Sequence, residues 1–135
     1  MEYEKTMAIS ASALRAQGQR MRVIAENLAN ANSVPSSPDE EPYRRKVVSF
    51  GNELDRELGV QTVRVNKVSQ VAGEFSKRFD PAHPGADEDG YVRVPNVNSL
   101  IEVMDMREAQ RTYEANLKVM EAAKRMLKRT VELLK

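Results

Sequence analysis

A chain of 135 residues with 41% apolar residues, 5% aromatics, no Trp and 30% charged residues has room for one domain at most and few side chains large enough to fill a thick core. Twenty-one basic against twenty acidic residues leave a net charge of +1, which supplies no global field to gather nucleic acid or an anionic membrane, so polyanions are not expected partners. The absence of cysteine excludes disulfides, zinc-thiolate sites and cysteine nucleophiles.

The opening "MEYEKTMAIS" begins with acids and lacks both a basic region and a continuous apolar one, and no apolar run reaches the roughly 18 residues of a span. Neither a cleaved signal peptide nor a membrane span is expected. From Glu4 to about Asn30 the pattern is helical. Met7, Leu14, Met21 and Leu28 fall every seventh residue, and the neighbouring positions Ala11, Gly18 and Ala25 are small. Such a stripe is narrow and lets another helix approach closely, as in a coiled-coil seam; Ile24 widens it near its end. The helix then runs into "ENLANANS", three asparagines in six positions, although asparagine competes for backbone hydrogen bonds and is poor inside a helix. Asn30 and Asn32 fall where a C-cap or left-handed turn ends a helix, while Asn27 is placed to hydrogen-bond across a helix interface.

Residues 33–97 hold all six prolines and five of the six glycines. After the polar loop "SVPSSPDEEP" come short strand-like runs, "YRRKVVSF", "VQTVRVNKV", "EFSKRF" and "YVRV", each bounded by Gly, Pro or Asp. This is a small β-rich insert, and about 65 residues with so few large apolar side chains bury only a marginal core unaided.

Residues 98–135 repeat the helical design without Gly or Pro. Met106, Tyr113, Met120, Leu127 and Leu134 are seven apart, and Val103, Leu117 and Val131 form a neighbouring row. Asn98 or Ser99 is a natural N-cap, with Glu102 completing a capping box after Ser99. Asn116 falls on the inner side, where a buried polar residue fixes register. The two helices would be roughly 40 and 55 Å long, too long to be covered by the insert. Seven methionines suit either a core or an adaptable interface, and on these stripes the two roles coincide.

The residues that invite chemistry have plainer readings. His83 in "DPAHPGADEDG" is the only histidine and has no second nitrogen or sulfur ligand nearby, so no zinc site is expected. "DEDG" invites a calcium loop, but placing Gly90 at the glycine position puts Gly85 where the first ligand belongs and Asn96 where the last belongs; a β-turn fits better. The basic runs Arg44–Lys46 and Lys124, Arg125, Lys128 and Arg129 read as a solvated face or one that meets an acidic neighbour. No nucleophile triad or phosphate-cradling loop is present, and neither an enzyme nor a cofactor is expected.

With both helices and the insert described, "SASALRAQGQRMRVIAENLANANS" resembles the N-terminal motif of the bacterial flagellar rod and hook family, on Ala13, Leu14, Gln17, Arg20, Met21, Asn27, Leu28, Ala29 and Asn30. "GYVRVPNVNSLIEVMDMREAQRTYEANLKVMEAAKRML" resembles the C-terminal segment of the same family. "DGYVRVPNVN", "RTYEAN" and "PYRRKVVSF" are similar to a short proximal-rod member, so the resemblance covers nearly the whole chain.

The resemblance implies a structural subunit of the proximal rod, mainly α with a small β-rich insert. Its terminal helices, in residues 1–32 and 98–135, would pair as an antiparallel coiled coil, with residues 33–97 facing outward. Partners would be copies of itself, other rod subunits and the flagellar type III export apparatus, which passes the chain without a cleaved signal to a rod in the periplasmic space. The helices would build a tube around an export channel and carry torque. The expected assembly interface is Met7, Leu14, Met21, Asn27, Leu28 and Asn30 on the first helix and Met106, Tyr113, Asn116, Leu117, Met120 and Leu127 on the last. "FGNEL", Phe50 to Leu54, has the form of the family's export-gate element, and Phe50 is equally a strand core residue. Another short rod subunit is the nearest competing reading, and a free-standing coiled-coil adaptor is one from a different class. Because narrow stripes bury little within one subunit, the termini are expected to fray in the isolated chain and order on assembly.

Overall fold

Capping chemistry sets both helices of the computed structural model, which describes residues 2–135. Helix α1 (Glu2–Ala29) has acids in its first turn, where they oppose the positive end of the helix dipole. It ends at Asn30, whose backbone N–H and side-chain Nδ2 both donate to the Glu26 carbonyl, at 3.1 and 2.9 Å. Ser33 in turn donates its hydroxyl to Asn30 Oδ1 at 3.1 Å. No non-glycine residue among those described has positive φ, so Asn30 stops the helix with its amide and not with a left-handed turn. Asn32 is exposed.

Helix α2 (Ser99–Leu133) starts from Asn98, whose Oδ1 accepts the N–H groups of Leu100 and Ile101 at 3.1 and 3.4 Å. The expected capping box does not form. Glu102 turns its carboxylate away from Ser99 toward Arg45 and Asn27, because charge-assisted bonds in a buried place outweigh one exposed N-terminal N–H. No helix among the described residues is long and apolar enough to cross a membrane.

Between the helices lie four strands in two two-stranded sheets: β1 (Lys46–Asp55) with β2 (Val60–Gln70), and β3 (Ser76–Phe79) with β4 (Tyr91–Val94). β1 starts three residues into "YRRKVVSF" and continues through "GNELD". Gly51 permits this, since a Cβ there would stand 3.3 Å from the Asn66 side chain. Asp55 closes the hairpin by accepting the N–H groups of Glu57 and Leu58, at 3.1 and 3.2 Å, and Gly59 takes φ +66. β3 and β4 pair antiparallel with Ser76 opposite Val94 and Phe79 opposite Tyr91. Their connecting loop ends in "DEDG", where Asp87 Oδ1 accepts the N–H groups of Asp89 and Tyr91 at 3.0 and 2.9 Å and Gly90 takes φ +84.

The chain divides into two compact units, each drawing on several stretches. The first comprises residues 2–21, 48–67 and 107–135, and its buried residues are small: Ser10, Ser12, Ala16, Ala109 and Ala123. Ser12 stitches α1 to β2, donating to the Ile9 carbonyl at 2.7 Å and accepting the Val63 N–H at 3.1 Å. The second comprises residues 22–47 and 68–106, with Val23, Ile24, Val92, Asn27 and Glu102 buried. Arg44 packs its guanidinium on Phe75, 4.3 Å from the ring centroid, and donates to the Val71 and Gly73 carbonyls.

Candidate assembly interface

The buried stripe of α2 is a row of short side chains. Glu102, Ala109, Asn116 and Ala123 are seven apart; the first, second and fourth are buried and Asn116 is half-buried. Met106, Tyr113 and Met120, three or four residues away, are half-buried beside them. The other expected row, Val103, Leu117 and Val131, stays exposed, with Leu117 at 39%. Small residues explain the choice: alanine lets another backbone come close, where a leucine row would hold it off. Leu127 is exposed, yet it shares an apolar cavity of about 320 Å³ with Tyr3, Glu4 and Met7. Asn116 donates to the carbonyl of Thr112 at 2.9 Å, a bond within its own helix.

On α1, Met7, Leu14, Met21, Leu28 and Asn30 are half-buried. Asn27 is only 1% exposed, and every hydrogen-bonding position of its amide is filled from its own chain. Nδ2 donates to the Lys46 carbonyl at 2.8 Å and to Glu102 Oε2 at 3.2 Å. Oδ1 accepts the Tyr43 hydroxyl at 2.7 Å and the Lys46 N–H at 3.0 Å.

Asn27 therefore anchors "YRRK", and each of those four residues is engaged. Arg45 pairs with Glu102 through Nε and with Asp105 through Nη2 at 3.3 Å. Its backbone N–H donates to Asn96 Oδ1 at 2.7 Å. Lys46 reaches Glu26 at 2.6 Å. Burial, joined by the nearby carboxylates of Glu26 and Glu102, pushes the Tyr43 phenol up to about 12. The run is a clasp holding three segments together rather than a free cationic patch. Sequence reading missed Glu102 as a member because its capping-box position accounted for it locally; the available signal was an acid on the row of Ala109 and Ala123.

Phe50 and Leu54 are both exposed on β1, and Leu54 lines a cleft of about 600 Å³ with Ala8, Ala11 and Arg15. His83 is half-buried, and its Nδ1 accepts the Gly85 N–H at 2.9 Å inside its own loop.

Asn27 and Glu102 fall within segments that match known families. Residues 7–35 match the flagella basal body rod protein family, and residues 88–133 match the flagellar basal body rod FlgEFG protein C-terminal family. The chain is 47% identical over 127 residues to flagellar basal-body rod protein FlgC of Agrobacterium fabrum, covering 94% of this chain and 91% of that protein. The chain belongs to the FlgC family of flagellar basal-body rod proteins. The FlgC of Bacillus subtilis is 37% identical over 143 residues, with 95% of each chain covered. That of Aquifex aeolicus is 40% identical over 136 residues, with 100% and 99% covered. The two family matches include Asn27 at one end and Glu102 at the other, so the buried amide and its carboxylate partner both lie on rod-family segments.

Proposed function

We propose that this structural subunit of the flagellar basal-body rod occupies the proximal rod. In this reading α1 and α2 pair as an antiparallel coiled coil, residues 1–32 with 98–135, and pack against copies of the chain and other rod subunits around the export channel. The insert, residues 33–97, makes outward contacts. Contacts in each unit support antiparallel pairing: Met7 shares a cavity with Leu127, Arg20 lies 3.9 Å from Glu108, and Asn27 bonds Glu102, so positions rise on one helix as they fall on the other.

The observation that carries assembly is the apolar surface α2 leaves uncovered, including Val103, Leu117, Val119, Met126 and Val131. Helices presenting apolar rows on more than one side suit a lattice in which each subunit has several neighbours. Repeated heterologous contacts that do not close generate a helical tube, and parallel seams give it the stiffness to pass torque. Phe50 and Leu54 are exposed where the export apparatus could read them before assembly. The chain performs no chemistry in this role and requires no cofactor.

Electron microscopy of basal bodies from cells with and without this chain tests the reading. Basal bodies lacking it are expected to stop below the distal rod and to be completed when it is restored. Complete rods in its absence would refute the assignment.

A further inference from the structure

Strand β1 has one edge against β2 and another that its own chain covers only at the start. The partners of its backbone groups show which edge each residue faces. Arg45, Glu53 and Asp55 point their carbonyls toward β2 and its turn, where they accept the Val71 N–H, the Thr62 hydroxyl and the Gly59 N–H at 2.8 Å each. Lys46 points the other way, since its N–H and its carbonyl both bond the Asn27 amide. Backbone direction alternates along a strand, so Val48, Phe50, Asn52 and Leu54 turn their N–H and C=O groups to the same outer side as Lys46. Among the described residues no side chain or loop hydrogen-bonds any of these outer groups.

An open edge is a template for another strand unless charge or proline blunts it, and from Val47 to Asn52 this one carries neither. Phe50 and Leu54 on it are 41% and 51% exposed. A row of unpaired donors and acceptors calls for an extended backbone as its occupant.

We propose that the free edge of β1 pairs antiparallel with the same edge of a second copy, joining two hairpins into one four-stranded sheet. Two identical strands paired antiparallel match residues symmetrically about a midpoint, and the midpoint of the free edge is Gly51. In that register Val48 faces Leu54 of the second copy and Phe50 faces Asn52, so outward N–H groups meet outward carbonyls along the whole free edge. Gly51 faces Gly51 of the second copy as a non-hydrogen-bonded pair, where the chains stand closest, at about 4.5 Å between Cα atoms. Side chains alternate between faces, so Val48, Phe50 and Leu54 of both copies gather on one face. Glu53, the one charge in the free edge, faces Ser49, and no like charges oppose each other. The pairing stops where Asn27 holds Lys46 and where the chain turns after Asp55. Such a contact is isologous and closes as a dimer, so it stands apart from a rod lattice, whose contacts do not close.

Because the chain has no cysteine, single cysteines report this register. Residues 49 and 53 of the two copies form a non-hydrogen-bonded pair within the Cα separation a disulfide needs, whereas each lies far from its own counterpart. Ser49→Cys mixed with Glu53→Cys is therefore expected to form an interchain disulfide on mild oxidation at least ten times faster than either variant alone. Sedimentation of the wild-type chain is expected to show monomer passing to dimer as concentration rises. Asn52→Pro removes an outward N–H that has no partner in the single chain, so it is expected to raise the dimer dissociation constant at least tenfold with circular dichroism unchanged. A wild-type chain that stays monomeric up to its solubility limit, or cysteine variants that crosslink as fast alone as mixed, would overturn the pairing. A folded Asn52→Pro chain that dimerises like the wild type would overturn it too; should that variant unfold, the crosslinking rates still decide. None of these outcomes bears on the rod assignment, which is tested by basal bodies lacking the chain.

Discussion

Asn27 has two donors and two acceptor positions in its amide, and all four are filled inside one chain, by Lys46 twice, Tyr43 and Glu102. Replacing it with alanine leaves a half-buried phenol, the Lys46 carbonyl and N–H and a buried carboxylate each short of a partner. We expect Asn27→Ala to destabilise the chain by about 3 kcal/mol, measured by urea unfolding, with Asn30→Ala costing only about 1 kcal/mol because its partners lie at a helix end open to water. Equal losses for the two would contradict the difference in burial. Tyr43 extends the argument to pH. Its folded value of about 12 exceeds the ordinary 10.0, so the fold holds the proton more tightly than the unfolded chain does. That contribution is complete below about pH 10 and is lost as pH rises toward 12. Tyr43→Phe should cost roughly 1 kcal/mol at neutral pH and flatten the alkaline fall in stability between those values. An unchanged alkaline profile in the variant would show that Tyr43 is not its source.

Both helices are longer than their buried rows. The buried residues of α1 run from Ser10 to Asn27, and those of α2 from Glu102 to Ala123, so α1 before Ser10 and α2 after Ala123 extend beyond them. Local stability follows buried contact, and helix propensity alone holds such ends weakly. Hydrogen exchange on the isolated chain should therefore be slow around Ile24 to Asn27 and Glu102 to Ala109 and fast toward Glu2 and beyond Lys124. Strong protection at the far ends would mean that they are ordered before assembly. The insert depends on its neighbours in the same way, because two-stranded sheets are marginal alone. β1 and β2 are held through Ser12 and Val63, and the entry to β1 through the Asn27 clasp.

For the whole molecule, surfaces left uncovered matter more than those buried. Leu117 is 39% exposed, so Leu117→Asp should change the stability of the isolated chain by less than about 1 kcal/mol. In the rod packing proposed above the same aspartate would become a buried, unpaired charge. The expected outcome is a folded, secreted chain and an incomplete rod, read by unfolding in solution and electron microscopy of basal bodies. A complete rod in that variant would remove Leu117 from the interface.

Much of this protein was legible as pattern. Heptad spacing, the confinement of proline and nearly all glycine to the middle, and the Asn98 cap specified two long helices around a small β insert, because local backbone chemistry decides helix and turn. The motif around Asn27 pointed to the rod family for the same reason, being a contiguous stretch. What only the tertiary structure decided was which faces are buried. The sequence offered Met106, Tyr113, Met120, Leu127 and Leu134 as the stripe of α2, with Val103, Leu117 and Val131 as the row beside it, yet the buried row is Glu102, Ala109 and Ala123, since close approach favours short side chains that hydrophobicity alone ranks low. It offered Glu102 as a local cap and "YRRK" as a solvated face or one that meets an acidic neighbour; folding takes the second course, pairing Arg45 with Glu102, and joins Glu102 to Asn27 across 75 residues. Such a node depends on distant partners whose chemistry becomes complementary only when they meet.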